Sequence, residues 1–357
     1  MPPITQLTVR SFRNLASLDV EIPETGVVVI GENGQGKTNF LEAIYYLVLF
    51  RSMRGARDRE LVRFGESGFF VAGTAGQRVT AGYEVAGRRK KVTADGKEIR
   101  KLAQAVGLIT AVQSSPADRS IVNGGPAGRR RYLDVLLSLC SSSYLKHLTA
   151  MRAAMKQRNA ALKRGRPEEA RAFDRAFAGA AALVAEARHE WAEECGQMYV
   201  ELLAGLGESG NSALEYHSRH WTPEGGQQEV ERCLLDRFER DVRMGMTTVG
   251  PHRDDLVLTL DGRELRRYGS AGQQRTAAIA LRLLEARALG AANDAPPIAL
   301  LDDVFAELDQ NRQTRLLSLI DRTLPGQVII TAPRDSEVPD TLFDRPRWSM
   351  NGGRIDP

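Results

Sequence analysis

Eight residues near the start of the chain, Gly31-Glu32-Asn33-Gly34-Gln35-Gly36-Lys37-Thr38, carry glycine, lysine and a hydroxyl at the spacing GxxxxGK[ST]. Glycines let backbone N–H groups turn inward around phosphate oxygens, and a following helix N-terminus adds positive potential. Lys37 can then reach the β- and γ-phosphates, and the Thr38 hydroxyl can ligate Mg2+. Asn39 directly after the loop, and Arg13-Asn14 upstream, are candidates for the remaining nucleotide contacts. A second constellation stands near the other end, where Ile298 to Leu301 run straight into Asp302-Asp303. A buried strand ending in two acids is unfavourable unless they meet a cation. Asp302 is therefore expected to hold the water shell of Mg2+, and Asp303 to orient or deprotonate a water attacking the γ-phosphate. Gln113, closing the stretch LITAVQ, is a third group able to touch metal and water. Lys37 and Asp303 are the catalytic candidates, and Thr38, Gln113 and Asp302 the metal ligands. The chemistry is cleavage of a nucleoside triphosphate.

The elements around these residues follow from their patterning. ITQLTVRSF and LASLDVEIP alternate apolar and polar residues with period two, predicting two antiparallel strands joined at Arg13-Asn14. VVVIG reads as a buried strand, and in NFLEAIYYLVLF the apolar Leu41, Ile44, Tyr45 and Val48 fall on one helical face, so the loop lies between strand and helix. Gly68 to Lys101 alternates again, with turn signals at Ala86-Gly87 and Asp95-Gly96, predicting an antiparallel meander. From about Pro126 to Met246 the composition shifts to helix formers, with Pro167 just inside a helix start. Strand patterning returns at LVLTLDGRELRRY, followed by a helix, IALLDD, a further helix and QVIITAP. This predicts an α/β domain with a mixed sheet and an antiparallel β-subdomain, interrupted by an inserted α-helical domain. The expected boundaries are 1–115, 116–247 and 248–357.

Composition sets outer limits. The chain has 357 residues, 42% hydrophobic and 26% charged, with no apolar leader in MPPITQLTVR and no apolar run near the ~20 residues of a membrane span, which places it in the cytoplasm. Cys140, Cys195 and Cys233 form no CxxC pair, which argues for a reducing compartment and against a zinc knuckle. Five histidines show no metal-ligand spacing, and His252 reads as a loop-ordering residue rather than a base. An aromatic content of 6% argues against a surface that stacks successive bases. The net charge of +4 is uninformative, but its distribution is not: residues 119–164 hold ten basic residues and one acid, whereas 176–246 hold thirteen acids and six bases. Arg152, Lys156, Asn159 and Lys163 share one helical face, and Arg129-Arg130-Arg131 stand near a helix start where cations oppose the macrodipole. These residues are the DNA candidates; Arg88 to Lys91 and Arg263, Arg266 and Arg267 are weaker ones. Contacts of this kind go to phosphates and confer salt-dependent, sequence-independent affinity.

One further motif completes the set. Tyr268-Gly269-Ser270-Ala271-Gly272-Gln273-Gln274-Arg275 opens the helix TAAIALRLLEA with a hydroxyl, a glycine and free amides pointing one way. It resembles the signature motif of ABC ATPases and lies between the glutamine and the carboxylates in the order that family shows. FRNL from Phe12, GENGQGKTNFLEAIYYL from Gly31, SSPAD from Ser114, NGGPAGRRRYLD, GPHRDDL from Gly250 and LLDDVFAELD from Leu300 make the chain similar, over nearly its whole length, to the RecF family of SMC-like ABC ATPases. The resemblance implies an ATP-dependent homodimer in which two nucleotides are sandwiched head to tail. Ser270, Gly272, Gln273 and Gln274 would act in trans, and Asp309, of Glu307-Leu308-Asp309, would be a further trans contact. It also implies binding to gapped or junction DNA, and work with RecO- and RecR-type mediators to load the RecA recombinase. The chain departs from the general ABC pattern at Asp303, where most members have Glu, and at Thr331, where many have His. Both departures predict slow hydrolysis and a switch set by ATP binding, and the resemblance implies that DNA stimulates the hydrolysis. The competing readings are another SMC-like ATPase, the nucleotide-binding subunit of a membrane transporter, and a P-loop kinase or hydrolase complete within one chain.

Overall fold

The computed structural model describes residues 2–306, 309–339, 342 and 345–357. The chain begins with the hairpin β1 (Gln6–Phe12) and β2 (Leu15–Glu21), followed by β3 (Gly26–Ile30), α1 (Lys37–Leu49) and the short α2 (Asp58–Leu61). The meander β4 (Gly68–Ala75), β5 (Gln77–Glu84), β6 (Arg89–Ala94) and β7 (Lys97–Glu98) comes next, and β8 (Ala111–Ser114) closes this part. Helices α3 (Arg119–Asn123), α4 (Pro126–Cys140), α5 (Ser142–Lys163), α6 (Pro167–Arg171) and α7 (Asp174–Gly205) lead to β9 (Ser212–His217), α8 (Gly226–Asp236) and α9 (Phe238–Met244). Strands β10 (Asp255–Leu260) and β11 (Arg263–Glu264), α10 (Leu265–Tyr268) and the long α11 (Ala271–Asn293) precede β12 (Ile298–Asp302), α12 (Gln310–Thr323), β13 (Val328–Ala332), β14 (Arg347–Asn351) and β15 (Arg354–Asp356).

Two compact units emerge. The first comprises 1–118, 205–207 and 281–357, and the second 119–204 and 208–280. With 205–207 returning to the first unit, the divisions between them fall after residue 118 and inside α11. The cause of the latter is β9, a strand that the helix-rich composition hides: β10 pairs with it antiparallel from Asp255↔His217 to Leu260↔Ser212. The segment carrying Ser270 thereby belongs to the second unit, which is not wholly helical.

In the first unit, α1 packs on one side against β1, β4 and β5 of the antiparallel sheet β2-β1-β4-β5-β6-β7. On the other side it meets β8, β12 and β13 of the sheet β15-β14-β3-β13-β12-β8. That position explains why Phe40, Leu41, Ile44, Leu47 and Val48 are all buried, more than a one-faced helix would hide. Phe12, Tyr46 and Phe69 meet edge to face at ring separations of 5.1–6.0 Å and close the antiparallel side. In the second sheet β3, β13, β12 and β8 run parallel, with Leu300↔Gln113, Asp302↔Thr331 and Thr331↔Val29 in register. Parallel strands buried on both faces read as continuous apolar runs, as VVVI, IALL and VII do.

The second unit is held by buried ion pairs as well as apolar contacts. Arg158, fully buried, donates to Asp174 at 2.6 Å and to Asp241 at 2.7 Å. Arg188, 1% exposed, donates to Asp134, the Tyr144 hydroxyl and the Pro251 carbonyl. The three cysteines form no disulfide, and no helix among the described residues is long and apolar enough to cross a membrane.

Candidate active site

The parallel strands deliver their side chains to one edge, the carboxyl ends of β3, β13, β12 and β8, where open α/β sheets bind ligands. Residues 31–38 connect β3 to α1 there. Gly34 and Gly36 take φ of 82° and 119°, a region that favours glycine, and a Cβ on Gly36 would stand 2.8 Å from the Asn14 amide. Asn14 donates to the Gln35 carbonyl at 3.1 Å and accepts from Asn39 at 2.8 Å, so the turn after β1 braces the loop. Arg13 is engaged elsewhere, with the buried Glu42 at 3.0 Å and the Glu60 carbonyl at 3.2 Å. Arg54 and Ser52 share the same carboxylate, and their hydrogen bonds outweigh burial and hold Glu42 below the usual carboxylate range. Lys37 is 5% exposed and donates to the Gly31 and Glu32 carbonyls at 2.6 and 3.3 Å, folded over the loop it is expected to serve. Glu32, Asn33 and Gly34 form the exposed rim.

Thr38, the first residue after that lysine, donates to Asp302 at 2.9 and 3.1 Å. From the neighbouring strand Thr331, fully buried, donates to the same carboxylate at 2.7 Å. Thr331 is therefore a positioning group for Asp302, a role its sequence neighbours do not reveal. Its hydroxyl and carbonyl also each accept from the Asp303 amide at 3.2 Å. Asp303 takes φ of 48°, uncommon for a residue with a Cβ, and its Oδ1 is buried without a hydrogen-bond partner among the described residues. Burial raises its pKa, Lys37 pulls it down, and Asp302 and Glu337 push it up. Gln113 reaches the same edge on β8, opposite Leu300.

A set of buried oxygens facing an open glycine loop fits a magnesium–nucleotide ligand: a carboxylate flanked by two hydroxyls, an orphaned carboxylate oxygen, and free space where a Gly34 side chain would stand. Asp309, N-cap of α12, accepts from the Arg312 amide at 2.9 Å; Glu307 and Leu308 lie outside the described residues.

In the second unit Ser270 stands exposed before α11. Its hydroxyl accepts from the Gln273 amide at 3.2 Å while the Gln273 side chain accepts from the Ser270 amide at 2.8 Å, a reciprocal cap. Gly272 is partly exposed, whereas Gln274 is 7% exposed and donates inward to the Leu265 carbonyl. Of the four residues expected to act in trans, Gln274 thus supports the loop from behind.

The model of the RecF/RecN/SMC N-terminal domain matches residues 3–342. A DNA replication and repair protein RecF of Anaeromyxobacter sp. (strain Fw109-5) is 37% identical over 99% of both chains, and the RecF of Ligilactobacillus salivarius is 31% identical over 99% of this chain and 97% of its own. The chain belongs to the RecF family. Among solved structures, the recombination mediator protein RecF with ATPrS has a TM-score of 0.88 at 29% identity, covering 99% of this chain and 98% of its own. An Smc head domain from Pyrococcus furiosus, 16% identical over the whole of this chain and 96% of its own with a TM-score of 0.57, shares the fold. The α/β architecture is that of an ABC-type P-loop ATPase, as expected.

The basic candidates fare unequally. Arg129 is 3% exposed and grips Asp255 through two bonds of 2.7 and 2.8 Å and three backbone carbonyls besides. Arg130 donates to the Asp254 carbonyl, Arg152 pairs with Asp134 at 2.6 Å, and Asn159 accepts from Thr247. Arg131, Lys156 and Lys163 remain exposed. The cations that oppose the α4 macrodipole are thus largely balanced from within, chiefly by the GPHRDDL segment. His252 in that segment bonds to the Thr247 carbonyl at 3.0 Å, and burial pushes its pKa down to about 4, which suits a structural residue.

Proposed function

We propose that this chain is an ATP-dependent DNA-binding protein of recombinational repair, acting in the cytoplasm, in which nucleotide binding rather than turnover sets the DNA-bound state. The reading rests on one observation above all: Asp302 is held by hydroxyls from the start of α1 and the end of β13, Thr38 and Thr331, with the Asp303 Oδ1, unpartnered among the described residues, next to it. Lys37, already buried over the loop, needs only to exchange two carbonyls for phosphate oxygens. Thr38 and Asp302 would hold Mg2+, with Gln113 at the adjoining strand end. When bound, the metal neutralises charge on the β- and γ-phosphate oxygens. Asp303 orients the attacking water and accepts its proton. Burial raises its pKa above the ordinary carboxylate value, while its short side chain and the hydroxyl of Thr331 in place of an imidazole make hydrolysis slow.

One chain supplies half of each site. Ser270, exposed before α11, and the half-buried Gly272 and Gln273 in its first turn close the nucleotide of a second copy, with Asp309 beside the partner's site, so ATP drives homodimerisation. The resulting dimer binds gapped or junction DNA and works with RecO- and RecR-type mediators to load RecA. Support for the partners comes from the relatives, which are named DNA replication and repair proteins, and from the solved RecF, described as belonging to the RecFOR pathway. Size-exclusion chromatography with ATP and Mg2+ tests the composite site. Wild type dimerises reversibly, Lys37→Arg stays monomeric, and Asp303→Asn accumulates as a dimer. A monomeric Asp303→Asn at saturating ATP refutes the composite site.

A further inference from the structure

Two basic stretches far apart in sequence meet at one edge of the first unit. Lys90 of β6 pairs with Asp58 of α2 at 2.8 Å and donates to the Phe50 carbonyl at 2.5 Å, drawing the β5–β6 turn against residues 50–58. Gly68 pairs with Glu84, and the Val85 amide donates to the Ser67 carbonyl at 2.9 Å, so the loop 64–67 and the turn 85–88 end on the same edge. The Arg63 amide bonds to the Ser11 carbonyl and the Arg13 amide to the Leu61 carbonyl, at 2.9 and 2.7 Å. The edge is thereby stitched to the turn whose Asn14 braces the phosphate loop.

Residues 51–66 and 84–91 together contain nine basic and four acidic side chains, and one of the acids, Asp58, is neutralised by Lys90. Arg59, Arg63, Arg88 and Lys91 enter no ion pair or side-chain hydrogen bond among the described residues. Phe64, in the loop that ends on this edge and flanked in the chain by Arg63 and Gly65, is 103% exposed. An isolated ring fully in water gains nothing for the fold, and its charged surround does not suit an apolar protein face. The combination of free guanidinium groups and one projecting ring matches a polyanion that also presents an aromatic face.

Resting on the DNA-binding reading above, we propose that this edge is a nucleic-acid surface on which Arg59, Arg63, Arg88 and Lys91 hold backbone phosphates and Phe64 stacks on a base at a single-strand/double-strand boundary. Bases inside an intact duplex are already stacked on both sides and offer Phe64 no face. The first unpaired base of a gap does. A single ring cannot form a platform for successive bases, in keeping with the low aromatic content, and it acts at one position only. The surface lies beside the phosphate loop, connected through Arg13 and Asn14, so nucleotide and DNA occupy neighbouring parts of one unit.

The test uses the full-length protein with ATP and Mg2+, a gapped duplex carrying 2-aminopurine at the first unpaired position, and an intact duplex of equal length. Phe64→Ala should lose roughly tenfold in affinity for the gapped DNA and less than about twofold for the duplex, with the 2-aminopurine response abolished. Phe64→Trp should restore both readouts. Because Phe64 is fully exposed, its variants keep the wild-type melting temperature and ATP affinity. Changing Arg59, Arg63 and Arg88 together to Ala should weaken both DNAs and lower the slope of log affinity against log salt by about two to three. Wild-type affinity and fluorescence in Phe64→Ala overturn the stacking role, and an unchanged salt slope overturns the phosphate contacts. Normal DNA binding with lost self-association would assign Phe64 to a protein contact and also overturn the proposal. Failure of the wild-type protein to bind any DNA refutes the DNA-binding function itself and takes this surface with it.

Discussion

The segment GPHRDDL should carry two opposed proton linkages that conceal each other. Asp254 is 3% exposed; its Oδ2 accepts from the Tyr216 hydroxyl at 2.6 Å, and its Oδ1 is buried without a partner among the described residues. Burial lifts its pKa from 3.8 to about 6, against the pull of Tyr216, Ser218, Arg188 and Arg130. The folded state thus holds this proton more tightly than the unfolded chain, giving stability that is complete below 3.8 and lost as pH rises through about 6. At about 1.4 kcal/mol per pH unit the loss is about 3 kcal/mol. His252, two residues earlier, behaves oppositely. Burial lowers its pKa from 6.5 to about 4, partly countered by its bond to Thr247 and reinforced by Arg253, Arg130 and His220. Its contribution is complete above 6.5 and lost as pH falls through about 4, again about 3 kcal/mol. Wild-type stability should therefore be nearly flat between pH 4 and 6.5. Asp254→Asn should unmask the histidine and gain about 3 kcal/mol as pH rises across that window, whereas His252→Gln should lose about as much. Urea unfolding at half-unit pH steps, followed by far-ultraviolet circular dichroism, measures both. A wild-type profile in Asp254→Asn would show that the carboxylate is hydrated and refute the reasoning.

Two further outcomes follow from the same geometry. Thr331→Val removes the buried hydroxyl that orients Asp302 while keeping the shape of the side chain. Calorimetric titration should show Mg-ATP binding weakened by about 1.5–3 kcal/mol, the scale of a hydrogen bond to a charged group, with ADP binding without metal nearly unchanged. Arg129→Ala leaves Asp255 and three carbonyls without their cation, and should destabilise the protein by about 3 kcal/mol in denaturant titrations while leaving the salt slope of DNA binding at its wild-type value.

Most of the candidate site's loop was legible in the linear chain because its information is local. A strand, a glycine loop and a helix follow one another within residues 26–49, and backbone geometry alone turns those glycines inward. Asp302-Asp303 was legible for a different reason, since two acids closing a buried apolar run require a partner wherever the strand lies. The basic candidates were harder to sort. Ten cations over 119–164 look like a surface, yet Arg129 and Arg152 meet Asp255 and Asp134, the first of these partners more than a hundred residues away.

What the sequence determined by itself, then, was the family, the loop, the carboxylates and the serine-led helix start, each written in contiguous residues with their own backbone requirements. Tertiary structure alone decided that Thr331 supports Asp302, that β9 carries the segment before Ser270 into the second unit, that Gln274 turns inward, and that Lys90 joins two basic stretches of the first unit. Those outcomes depend on strand register and on which charges find partners across long sequence separations, and burial makes each choice decisive because an unpaired polar group away from water is expensive.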